Sequence, residues 1–80
     1  MITIVSERER DMMNFVEYEV TAIDIKTAWM ATNTDIEVDI IKNIKDEFEL
    51  WLGKDFFKMF KTFEEARKNA EARVDFTMTY

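Results

Sequence analysis

A chain of 80 residues with no proline and a single glycine, Gly53, lacks almost all of the punctuation that usually separates elements of structure. Its boundaries must be read from caps. Three hydroxyl residues are followed three positions later by Glu: "SERE" at Ser6, "TDIE" at Thr34 and "TFEE" at Thr62. In such a box the hydroxyl accepts from a free backbone N–H of the first helical turn, while the Glu reaches back to the cap residue. Each box opens a stretch with helical periodicity, so the pattern predicts three helix starts.

From Thr34, the apolar residues Ile36, Ile40, Ile41, Ile44, Phe48, Trp51 and Leu52 recur at spacings of three and four, as one face of a helix does. Gly53 then stands where a left-handed residue ends a helix. The same stretch opens "TDIEVD", in which Asp35, Glu37 and Asp39 alternate with Ile36, Val38 and Ile40. As a strand it would line up three carboxylates as if around a cation. As a helix start it places Asp35 and Glu37 in the first turn, where the dipole favours anions by ~0.3–1 kcal/mol each. There Glu37 points away from Asp35 and Asp39, and the acids do not converge. The helix is the preferred reading, although Val38 fits its apolar face poorly. No glycine is placed to make the sharp turn of a calcium loop, and no metal site is expected.

After Thr62, Phe63, Ala66, Ala70 and Val74 fall on one side of a short amphipathic helix. The "DFFKMF" ahead of it reads as a strand, giving strand, turn, helix. The N-terminal "ITIV" and the tail "VDFTMTY" are also β-rich. Between them, Glu7 to Asn33 admits two readings. As a helix it carries one seam of Met13, Val16, Val20, Ile23, Thr27 and Met30, and a second of Phe15, Tyr18, Ala22, Ile25 and Trp29 on the opposite side. A helix apolar on both sides must be covered on both, and a domain this small supplies too little cover, which points to a partner or a second copy. As a strand, "FVEYEVTA" alternates and would pair with "ITIV", but "SERERDMM" offers no turn residue for that hairpin.

The expected fold is therefore α+β, helix-dominated, with two or three short strands, in one compact domain over 1–80; the alternative is a three-helix bundle. A domain of this size buries only ~60% of its unfolded surface. Its 48% apolar and 14% aromatic content compensates, either through a dense aromatic core or through surface buried against a partner.

The inventory of reactive groups is short. There is no histidine, no cysteine and one serine, already assigned to a cap, so nucleophilic triads and thiolate or histidine zinc sites are excluded. One glycine cannot build a phosphate-binding loop. Carboxylate pairs remain, among Asp35 and Asp39 or Asp46, Glu47 and Glu49, and their plainer reading is a solvated surface. No cofactor is expected. The net charge of −6 disfavours direct binding of nucleic acid or of membrane phosphates, and no apolar run reaches the ~20 residues of a membrane span. The absence of cysteine and of a signal-peptide pattern fits a cytoplasmic protein.

By elimination the sequence indicates a non-catalytic protein-binding protein. This build, small, acidic and without catalytic side chains, resembles that of phage-encoded inhibitors of host enzymes or defence systems, including anti-CRISPR and anti-restriction proteins. The likeness is one of build only, and no motif carries it. One mechanism is occlusion of a basic nucleic-acid-binding surface on a partner protein, in the manner of a DNA mimic; the residues for it are the densest run of acids in the chain, Asp35, Glu37, Asp39, Asp46, Glu47 and Glu49, diluted by only Lys42 and Lys45. The alternative is a self-associating adaptor, possible as a homodimer, that uses Met13, Val16, Val20, Ile23, Trp29 and Met30 as an apolar seam.

Overall fold

The computed structural model of the chain describes residues 13–76. The Ser6 box, "ITIV" and the end of the tail lie outside the described residues. Five strands, β1 (Phe15–Tyr18), β2 (Ile25–Ala31), β3 (Val38–Asn43), β4 (Phe48–Leu52) and β5 (Asp55–Phe60), precede one helix, α1 (Phe63–Arg73). The strands form a single sheet in sequence order, and every neighbouring pair is antiparallel. The domain is thus a five-stranded meander with one helix packed across one face. It is neither helix-dominated nor a three-helix bundle.

Both long helical readings are overturned by strand pairs. Glu7–Asn33 contains β1 and β2, paired from Phe15↔Ala31 to Tyr18↔Ala28. The stretch opened by Thr34 contains β3 and β4, paired from Val38↔Leu52 to Lys42↔Phe48. Val38, Ile40 and Leu50 are fully buried, and a single helix face could not bury the three together. Thr34 caps nothing: its hydroxyl donates to the carbonyl of Ile36 at 2.7 Å, and its backbone makes an isolated bridge to Phe76.

The turns explain how a chain so poor in glycine makes four hairpin connections. At the β3–β4 turn, Asn43 Oδ1 accepts from the backbone N–H groups of Lys45 and Glu47 at 2.9 and 3.1 Å. Asp46 takes the left-handed conformation there (φ 65°), which a short polar side chain tolerates. At the β4–β5 turn, Gly53 and Lys54 both have positive φ, 60° and 76°, as a two-residue type I′ turn demands. Gly53 therefore closes a hairpin and does not end a helix.

The strand, turn, helix reading of "DFFKMF" and Thr62 does hold. Thr62 is extended, and its hydroxyl accepts from the Glu65 backbone N–H at 3.1 Å. Ala66 and Ala70 are fully buried, and their small side chains let α1 lie close on β3, β4 and β5. One end of this core is aromatic: Phe63 meets Trp29, Phe15 and Phe48 edge-on at centroid distances of 4.9, 5.5 and 6.4 Å. Such contacts add ~0.5–1.5 kcal/mol each beyond the area they bury. Arg67 is buried against Glu64 and Glu71, and Glu71 also accepts the Met13 backbone N–H at 2.8 Å, so this cluster ties the start of β1 to the helix.

Candidate functional site

Side chains alternate across a strand, so a meander covered on one side presents a second set on the other. The register assigns that set. One cross-strand row runs Val16, Met30, Asp39, Trp51, Phe56, and a second runs Tyr18, Ala28, Ile41, Glu49, Met59. The helix packs against the opposite face, and none of the described elements covers these rows. Val16, Met30, Phe56 and Met59 are 53%, 42%, 47% and 42% exposed, high values for large apolar side chains placed side by side. Scattered exposed apolar residues need no explanation; exposed apolar residues gathered on one uncovered face make that face the candidate contact surface.

Asp39 sits in the middle of this patch. It is only 7% exposed, and among the described residues it forms no ion pair. Its Oδ1 accepts from the Tyr18 hydroxyl at 3.3 Å. That bond carries the Tyr18 ring across β2, which accounts for the complete burial of Ala28 on a face that the helix leaves open. Burial, and then the neighbouring Glu37 carboxylate, push the Asp39 carboxyl from 3.8 up to about 6, with the Tyr18 bond opposing. Burial and the Asp39 charge likewise raise the Tyr18 phenol above its ordinary value.

At one end the face deepens into a cleft of about 450 Å³ beside the β3–β4 turn, lined by Ile25, Ile41, Ile44, Trp51 and Met59 together with Asp24, Asn43, Lys45, Glu47 and Glu49. Glu49 is held in place: its Oε1 accepts from Trp51 Nε1 at 3.2 Å and its Oε2 from Asn43 Nδ2 at 3.1 Å. Asn43 Nδ2 also reaches Glu47 Oε1 at 3.4 Å. A second concavity, near 390 Å³, lies on the helix side between Phe15, Trp29, Phe63 and Arg67, and its charged groups are already satisfied by the Arg67 cluster.

The six acids picked from the sequence do not form one surface. Glu37 and Asp39 lie together on the open face, and Glu47 and Glu49 border the cleft. Asp35 is exposed at the opposite end, where its N–H donates to the Asp75 carbonyl at 3.3 Å. Asp46 is held at the turn by Lys26 at 2.7 Å, which keeps its carboxyl below the usual range, with Lys42 further off at 3.9 Å. Among the described residues no group of three or more acids gathers as a metal site would.

The apolar seam also divides. Met13 and Trp29 belong to the core, Val16 and Met30 stand on the open face, and Val20 and Ile23 fall in the β1–β2 loop, with Ile23 98% exposed. Sequence reasoning missed Tyr18, Ile41, Trp51, Phe56 and Met59 as members of one surface. A local signal exists in β4, where Glu49 and Trp51 alternate with Phe48, Leu50 and Leu52; β2 and β5 show no such polar and apolar alternation. Comparison of the chain with protein families, curated proteins and solved structures finds no match. No helix among the described residues is long and apolar enough to cross a membrane.

Proposed function

We propose that this protein is a non-catalytic binding module that docks a partner protein on the uncovered face of its sheet. The observation that carries this reading is the pair of uncovered rows, with Val16, Met30, Phe56 and Met59 exposed, around an Asp39 carboxylate that has no ion pair among the described residues. A protein interface of this kind has an aromatic and methionine-rich middle with polar groups that fix orientation. Tyr18, Met30, Trp51, Phe56 and Met59 supply the first, and Glu37, Asp39 and Glu49 the second. The three carboxylates, on a chain of net charge −6, favour a basic partner surface. Occlusion of a basic nucleic-acid-binding protein is the finer form of this proposal, with Glu37, Asp39, Glu47 and Glu49 as the acids in position to contribute. Self-association suits the face less well, because a symmetric pair sets the carboxylates of one copy against those of the other.

The test is capture from the native host with paired variants. Met30→Asp with Phe56→Glu should lose a partner that the wild type retains, while Glu65→Lys with Lys68→Glu, on the exposed side of α1, should retain it. Capture that survives the first pair and is lost with the second would move the contact surface to the helix.

A further inference from the structure

We propose that the open face receives a partner segment whose central side chain is an arginine, lying over Trp51 between Asp39 and Glu49, with apolar neighbours on either side. The proposal rests on the docking reading above and names the chemistry of the occupant.

The placement follows from the register. Asp39 and Trp51 are direct cross-strand partners, and Glu49 is two residues along β4 on the same face. Direct partners lie ~4.5–5.5 Å apart and diagonal ones ~7–8 Å, so both carboxylates are within reach of one planar group resting on the indole. Glu49 Oε1 already accepts from Trp51 Nε1 at 3.2 Å, which fixes that carboxylate at the edge of the ring.

Charge complementarity selects a cation. Among the described residues Asp39, 7% exposed, carries no ion pair; its side-chain neighbours are the Tyr18 hydroxyl at 3.3 Å and the Glu37 carboxyl, which adds like charge. Glu49 has hydrogen bonds from neutral donors only. A docking apolar surface would bury both further, at a cost that only a paired charge offsets. An apolar occupant alone is therefore a poor fit, and a second copy is worse, since it brings two more carboxylates.

Among cations, arginine fits better than lysine. Its guanidinium stacks flat on an aromatic face and offers five N–H donors in a fork that can serve two separated carboxylates together. Its methylene stem would lie along Ile41 and Met59, the row next to Trp51 that opens into the cleft. Apolar residues on either side of the arginine would then meet Met30, beyond Asp39, in one direction and Phe56, beside Trp51, in the other.

The probe is the blocked peptide acetyl-Leu-Arg-Ile-amide, compared with the same peptide carrying citrulline, which keeps the shape of arginine and removes its charge. Binding is followed by NMR at the Trp51 indole N–H and the Ile41 and Met59 methyls. The expected result is saturable shifts at these groups, with the citrulline peptide at least about fivefold weaker. An Asp39→Asn, Glu49→Gln variant should abolish that preference while its spectrum stays folded. Equal shifts from both peptides overturn the arginine assignment and leave the docking reading standing. If neither peptide shifts the face and the chain sediments as a dimer that Met30→Asp dissociates, the occupant is a second copy and the inference is wrong. If neither binds and the chain is monomeric, both readings fall.

Discussion

Asp39→Asn is the sharpest test of the open face, because it keeps the shape and the acceptor for Tyr18 while removing the charge. Burial first, and Glu37 second, raise this carboxyl from 3.8 to about 6. The folded state therefore prefers the protonated form. The sign follows: the stability that Asp39 contributes is fully present below its unfolded value and is lost as pH rises through about 6. Between about pH 4.5 and about pH 7.5 the linkage amounts to about 2 kcal/mol, or ~1–2 kcal/mol after allowing for solvent over the open side of the sheet. Asparagine does not titrate. The difference in unfolding free energy between wild type and variant should thus change by that amount across the interval, with the variant gaining on the wild type as pH rises. Urea unfolding of both proteins at matched ionic strength measures it, and subtraction cancels the carboxylates they share apart from Glu37, which interacts directly with Asp39. With a slope of about 1 kcal/mol per molar urea for a domain this small, the relative midpoints should move by about 1 M or more. A difference that stays constant to within ~0.3 kcal/mol would mean that the charged carboxylate is held at no cost. Asp39 would then carry no unmet charge for a partner to neutralise.

Other outcomes probe the rest of the fold by the same unfolding measurements. Trp29→Ala removes the ring that Phe63 meets at 4.9 Å and that stacks on Phe48 at 6.1 Å, and should cost about 3 kcal/mol or more, whereas Phe56→Ala on the open face should cost well under half as much. Lys54→Gly should stabilise the hairpin by ~0.5–1 kcal/mol, because Lys54 bears a side chain at φ 76°. Thr62→Ala removes the cap of α1 and should cost ~1 kcal/mol.

How much of this fold could be read from the chain depends on how local each signal is. The cap at Thr62 and the apolar side of α1 sit within one short stretch, and there the reading was correct. The segment from Thr34 to Leu52 misled because two strands joined by a tight turn imitate a helical repeat. Ile40, Ile44 and Phe48 fall four apart, although Ile40 is in β3, Ile44 in the turn and Phe48 in β4. The contrary signal lay in Val38 and Leu50, which the helical face left out and which the sheet buries completely. Gly53 was ambiguous for a physical reason. Glycine announces a left-handed backbone position, and both a helix end and a type I′ turn need one. The second such position, at Lys54, distinguishes them, and lysine does not advertise it.

The open face was harder still, since it is made by register. Val16 and Phe56 belong to one row only because four strand pairs place them there, and no window of sequence contains that information. The acids show the same limit. Asp35, Asp39 and Asp46 look alike in the chain. One ends up beside the Asp75 backbone, one under a tyrosine in an apolar row, and one in an ion pair with Lys26. Their charge is a property of the residue; what the charge demands is a property of its neighbours. At Asp46 the demand is met within the chain by Lys26. At Asp39 burial has removed most of the water, and among the described residues no cation replaces it, which is the observation on which the proposed arginine contact rests.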